Sequence, residues 1–438
     1  MSDAEGMNRT VAVILLVLGG FAATLALASP MAENFAIVTD SSRVDVLLHS
    51  TAAGATLGAI TAAVTVVLVR RRLTLASIAA LGLVLLAVVS FTDSAPWELY
   101  PRSLAAGALL GSLAGLCNTR ERLTLQTALA AGALGGIVLA DPIGEYQSAP
   151  PRRYADYFPT DDLPASPPDM FMLILLASTA IALLIAIRRD DFGPAERSEQ
   201  NGRSRLLAVG VAVPVVGLLL EWSLVRATHT MDSDALGQGQ WMLGLTMIPL
   251  FVAGAVWLPR RQGMVLLAAL AFIATASGND AWSGGSWFAL VIPAAMVALG
   301  VMAGRRWPRP LLGIAALAVV AASAAFDEPP WDNLRIGAVV LLLPLAAAYT
   351  IAACLPSTEA PATTIALAAP TAITVPLVAQ FGWTAYTPLT SSHTALSSTA
   401  GQWTTTGATL CTVVVAGIAI AWIQRRPAVL PGATEETI

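Results

Sequence analysis

Residues 51–91 read TAAGATLGAITAAVTVVLVRRRLTLASIAALGLVLLAVVSF. Two apolar runs flank the triplet Arg70-Arg71-Arg72, and neither run carries a charge. An α-helix rises 1.5 Å per residue, so about 20 apolar residues cross a hydrocarbon layer some 30 Å thick. Runs at 46–69 and 73–91 meet that length. The stretch therefore reads as a helical hairpin in lipid, with its arginines held at one membrane face.

The same alternation continues along the chain. Of 438 residues, 56% are hydrophobic and 12% charged, with a mean hydropathy of +0.70. Soluble domains carry about 25% charged residues, so this chain has too few to cover a water-facing surface. Apolar stretches at 10–29, 46–69, 73–91, 102–117, 123–140, 170–187, 206–224, 241–258, 263–278, 287–303, 310–326, 334–354, 362–380 and 404–423 predict an all-α, polytopic transmembrane bundle of about 14 spans. The first run is too long for the apolar region of a signal peptide and is expected to stay as a membrane span.

Arginine placement sets the count. There is no lysine, and with the N-terminus inside, 18 of the 24 arginines fall on one side of the membrane. They are Arg9, Arg70 to Arg72, Arg120, Arg122, five within 188–205, Arg260, Arg261, Arg305, Arg306, Arg309, Arg425 and Arg426. The positive-inside rule assigns that side, and both termini with it, to the cytoplasm. A multi-pass protein of the cytoplasmic (inner) membrane is expected.

Chemistry-bearing motifs are scarce. Cys117, Cys354 and Cys411 lie in or beside apolar runs without C-x-x-C spacing, which argues against a zinc site or disulfide framework. No phosphate loop, nucleophile elbow or cofactor fingerprint appears. The expectation is a non-enzyme with no cofactor and no metal, whose partners are the lipid bilayer and a small-molecule substrate, with no nucleic acid.

Loops on the other face repeat an acidic-to-tryptophan pattern: Asp93-Ser-Ala-Pro-Trp97, Asp280-Ala-Trp282 and Asp327-Glu-Pro-Pro-Trp331. Tryptophan at headgroup level is ordinary interfacial anchoring. Segments 90–116 and 325–351 share more than this, since each continues into an arginine (Arg102, Arg335) and a small-residue helix. That similarity points to internal duplication, as in many transporters.

Ionisable groups inside spans are costly, so those retained are functional candidates. Arg102, Asp141, Glu221, Arg335 and His49 form that set, with Glu145 one turn beyond Asp141. Interfacial anchoring or local hydrogen bonding is the first account of each, with a gating or carboxylate-pairing role kept open for Arg102 and Arg335. Gly107-x-x-x-Gly111-x-x-x-Gly115 and Gly132, Gly135 and Gly136 offer small-residue ridges on which helices can approach closely.

Four features resemble the major facilitator superfamily, above all its fourteen-helix drug:proton antiporter branch. Arg70-Arg71-Arg72 follows the second span, where that family carries its arginine-rich signature. Arg102 with Ala106-Gly107-Ala108-Leu109-Leu110-Gly111 is similar to the family's fourth-span element, and Gly132-Ala-Leu-Gly135-Gly136 to its fifth-span antiporter motif. A charged loop at 188–205 and a long one at 381–403 stand as in that branch. Val66 occupies the signature's aspartate slot, and 10–29 contains no acidic residue. The resemblance implies two six-helix bundles, 1–187 and 263–438, joined by a cytoplasmic linker at 188–205 and an extra helix pair at 206–262.

By that resemblance the function is secondary active efflux of a small amphipathic molecule by alternating access, with protons as coupling ion. The departures motivate an alternative, a degenerate transporter fold acting as a scaffold with an envelope-assembly protein as partner. A lipid-linked-sugar glycosyltransferase using Asp161-Asp162 ranks below both. A reporter fused within 188–205 is expected to register as cytoplasmic; an external signal would remove the two-bundle reading.

Overall fold

The computed structural model describes residues 2–28, 51–91, 98–117, 122–147, 169–189, 203–228, 245, 247–258, 262–277, 287–326, 330–355 and 399–426. These form α1 (Ser2–Ala28), α2 (Thr51–Leu68), α3 (Arg72–Val89), α4 (Leu99–Leu116), α5 (Arg122–Val138), α6 (Ala140–Gln147), α7 (Met170–Arg189), α8 (Arg203–Thr228) and α9 (Met247–Trp257). Then come α10 (Gly263–Ser277), α11 (Phe288–Arg306), α12 (Pro310–Ser323), α13 (Asp332–Cys354) and α14 (Thr399–Arg425). Among the described residues there is no strand. The chain is a helical transmembrane bundle.

Helices are described for 13 of the 14 expected spans; the remaining one, 362–380, lies outside the described residues. Of the expected 241–258, the described helix is α9, with 11 residues, about 16 Å long at 1.5 Å per residue; 241–244 and 246 lie outside the described residues.

Local chemistry explains several ends. The Met172 N–H donates to Asp169 Oδ1 at 3.0 Å, capping α7. Pro310 opens α12, where its missing N–H costs nothing. Arginines fill the last turns of α7, α11 and α14, opposite the negative end of each helix dipole. Within α13, the π-helical segment Ala338–Leu342 directly precedes Leu343-Pro344. Proline lacks an N–H and clashes with the carbonyl four residues earlier, here that of Val340, and a widened turn relieves both problems.

Packing repeats between the two ends of the chain. In the N-terminal part α2, α3 and α1 pack on α4, while α1 and α3 pack on α7. In the C-terminal part α11, α12 and α10 pack on α13, while α10 and α12 pack on α14. Five neighbour relations thus recur in the same chain order. Glycines sit at the equivalent joints. A Cβ on Gly82 of α3 would lie 2.9 Å from the Ala105 carbonyl oxygen of α4, and one on Gly313 of α12 would strike Thr350 of α13.

Both faces of the outer helices are apolar. On α3, Ala79, Leu83 and Leu86 are buried while Leu81, Val84, Leu85 and Val88 are exposed; α7 shows the same with Leu176 and Leu183 against Ile174, Ile181 and Leu184. Exposed apolar surface costs about 25 cal/mol per Å² in water, and in lipid that penalty vanishes. Among the described residues six helices are long and apolar enough to cross a membrane by themselves. Every tryptophan whose side chain is described (Trp257, Trp287, Trp307, Trp331, Trp403 and Trp422) is more than half exposed. Trp287 and Trp307 bracket α11, 20 residues or about 30 Å apart, which is the thickness of a hydrocarbon layer.

The glycine ridge of α4 divides between two neighbours. A Cβ on Gly107 would run into Gly58 of α2, and one on Gly111 would stand 2.5 Å from the Ala62 carbonyl oxygen. Gly115 instead meets Leu75 of α3, at 2.9 Å. A four-residue step advances about 40° past a full turn, so the third glycine has rotated to another helix. Gly111→Val is expected to destabilise the protein by about 1–3 kcal/mol through overpacking, read as a lower thermal midpoint in lipid nanodiscs. Gly337→Ala, with nothing within 4 Å, should leave the midpoint unchanged or raise it.

Candidate functional site

The place where the two repeated parts touch is the natural site for function in a duplicated bundle. Helix α5 makes much of that seam. It packs on α1 within its own part and on α11 and α13 of the other, and its extension α6 also packs on α11. On the α1 side the approach is backbone to backbone: a Cβ on Gly132 would strike the Val17 carbonyl, and one on Gly136 would reach 2.6 Å from the Phe21 carbonyl oxygen. Gly135 has more room, meeting Phe21 at 3.4 Å.

Two arginines at helix ends tie those ends to neighbouring helices. Arg305, in the last turn of α11, donates from Nη2 to Thr124 Oγ1 in the first turn of α5 at 2.8 Å, joining the two parts directly. Arg426, after α14, donates from Nη1 to the Val256 carbonyl of α9 at 3.3 Å, with its guanidinium 4.0 Å from the Trp422 ring centre. The Tyr349 hydroxyl of α13 donates to the Trp307 carbonyl at 2.6 Å and pins the α11–α12 connection. Arg70 and Arg71 are exposed in the short α2–α3 connection, and Arg72 starts α3, half-buried and partnered.

Interior polar groups mostly turn back on their own helices. Thr24, Ser112, Thr127, Thr179, Thr275, Ser323, Thr350 and Thr412 are buried, and each donates to a carbonyl three or four residues earlier. Such back-bonding satisfies a hydroxyl without a partner helix.

The expected site residues do not form one cluster. Arg102 and Arg335 occupy the fourth positions of α4 and α13, half-buried and each with a partner. Those helices hold equivalent places in the two parts, so the arginines are repeat counterparts. Asp141 lies in α6, along the seam, and Glu221 lies in α8. The side chains of Asp141, Glu145 and Glu221 fall outside what is described, as does His49 entirely.

One residue escaped the sequence reading. Gln126, on α5, is fully buried, and among the described residues neither its amide nitrogen nor its amide oxygen has a hydrogen-bond partner. Charge is what marks a candidate in so apolar a sequence, and a neutral amide carries none. Its signal was nonetheless there, as the one glutamine within the run 123–140.

No family model and no curated protein matches this chain. Among solved structures it is similar to a crystal structure of a double-tryptophan mutant of XylE, with a TM-score of 0.48, 11% identity and 96% of each chain covered. A likeness of that degree assigns no family.

An enclosed amide without partners costs about 1–3 kcal/mol of stability. Gln126→Leu, close in volume, is expected to raise the thermal unfolding midpoint in nanodiscs. A lower midpoint would mean that the amide is hydrogen-bonded in the membrane.

Proposed function

We propose that this chain is a secondary transporter that moves a small amphipathic molecule by alternating access between its two repeated parts. The observation that carries the reading is the recurrence of the α1, α2, α3, α4 and α7 arrangement in α10, α11, α12, α13 and α14. A duplicated bundle with a seam at its centre can expose that seam to either membrane face by rocking one part against the other. Membership in the major facilitator superfamily, in the fourteen-helix drug:proton antiporter branch, rests on the resemblance of Arg70 to Arg72, of the Arg102 to Gly111 element and of Gly132 to Gly136.

On this reading residues 1–187 and 263–438 are the moving bundles, 188–205 is the cytoplasmic linker and 206–262 the added pair. The arginine face is cytoplasmic and the direction is efflux. Arg102 and Arg335, as counterparts near the other face, orient the substrate or pair with carboxylates there. Asp141, Glu221 and His49 are the groups available for proton coupling.

A second reading, a non-transporting scaffold for an envelope protein, draws on a different observation. Among side chains that are described, no carboxylate lies in the interior of a helix, so coupling must rely on few groups.

A deletion strain tested on a broad drug panel is expected to be sensitised, with wild-type protein restoring resistance. Arg102→Ala is expected to lose most of that restoration, about tenfold in tolerated dose for a loss near 1.4 kcal/mol. A protonophore should abolish uptake into inverted vesicles. An unaltered panel, together with stoichiometric co-purification of an envelope protein, would favour the scaffold.

A further inference from the structure

The added helix pair does not pack as a unit. Helix α8 lies against α2 of the N-terminal part, whereas α9 lies against α10 and α14 of the C-terminal part. The two differ in how firmly they are tied. A Cβ on Gly263, the first residue of α10, would run into the Ala255 carbonyl of α9, so those backbones touch. Arg426, following α14, donates to the next carbonyl, that of Val256. Helix α9 is therefore fastened to the C-terminal part by backbone contact and by a hydrogen bond.

Contact between α8 and α9 is of another kind. A Cβ added to Gly254 of α9 would still stand 3.5 Å from Val209 Cγ1 and 3.6 Å from Val213 Cγ2 of α8, so here the glycine faces valine methyls across a gap wide enough for a side chain, and the backbones do not touch. Among the described residues no hydrogen bond joins the two helices. Valine methyls slide over a bare glycine at small cost, because dispersion between any two atoms is only about 0.1–0.2 kcal/mol. Beside the contact, Pro214 removes one backbone hydrogen bond from α8 and loosens that helix where it borders α9.

We infer that the α8–α9 contact, at Val209, Val213 and Gly254, is a slip plane: α8 moves with the N-terminal part, α9 moves with the C-terminal part, and the pair shears when the parts rock. The added helices then act as a strap with one end on each moving body, which limits how far the two can separate. This inference rests on the transporter reading, since it presupposes rocking.

Spin-label distance measurements on the full chain in lipid nanodiscs test it. Cys117, Cys354 and Cys411 are first replaced by alanine, and label pairs are placed at exposed positions. Leu68→Cys with Leu219→Cys reports α2–α8, and Trp257→Cys with Val414→Cys reports α9–α14. Leu219→Cys with Trp257→Cys reports α8–α9, and Leu73→Cys with Arg306→Cys reports the two parts. All of these positions are exposed, so labelling should not disturb folding. Measured at acidic and at alkaline pH, the first two pairs are expected to give one narrow distance that does not move. The α8–α9 pair and the cross-part pair are expected to give two distances whose populations shift together. A single fixed α8–α9 distance alongside a moving cross-part pair would overturn the slip plane and leave the transporter reading intact. A fixed cross-part distance would overturn both.

Discussion

Hydrocarbon offers no hydrogen bonds, and nearly every feature of this molecule answers to that. Each spanning segment must close its own backbone hydrogen bonds, which only a helix can do within a single segment. Once helical, the segments gain little by hiding apolar side chains from an equally apolar solvent, so they associate by close fit. Glycine permits the closest fit. Gly132 and Gly136 bring α5 onto the α1 backbone, Gly107 and Gly111 bring α4 onto α2, and Gly300 and Gly304 bring α11 onto α13. Most interior hydroxyls obey the same constraint by bonding to their own helices, while those of Thr56 and Thr409 find no partner among the described residues. Where Pro344 breaks the pattern in α13, the π-helical segment beside it absorbs the break.

The two repeated parts keep their neighbour relations while exchanging the residues that make them. At the joint between the second and fourth helices, the N-terminal part places Gly107 and Gly111 on the fourth helix, against Gly58 and Ala62 of the second. Its C-terminal counterpart places Gly300 and Gly304 on the second helix, against Leu345, Ala348 and Tyr349 of the fourth. What persists is the short distance between helix axes, and either side can supply the missing side chain. Internal similarity in sequence is therefore faint even where the packing recurs.

Contact between the parts is of mixed strength, as a bundle with a central seam requires. Arg305 and Thr124 close the arginine face with one directional bond that a small rotation would break. The α8–α9 contact has no such bond and can slide. Within each part the glycine joints are far tighter than the contacts at the seam. Gln126 belongs to α5, which packs on both parts, and among the described residues both polar atoms of its enclosed amide are without a partner.

By itself the sequence determined that the chain is a stack of membrane helices and where most of them lie. Apolar length and arginine position are one-dimensional quantities, legible without any knowledge of neighbours: Met170–Arg189 lies over the expected 170–187, and Pro310 marks the start of α12. Tertiary structure alone decided which helices touch. The spacing of Gly107, Gly111 and Gly115 showed a ridge but could not show that the third glycine faces α3, because the drift of a four-residue repeat matters only once neighbours are in place. Nor could it show that the added pair divides between the two parts, or that Gln126 is enclosed without partners. Each of these is a relation between segments far apart in the chain, and in a sequence so uniformly apolar no local pattern encodes who packs against whom.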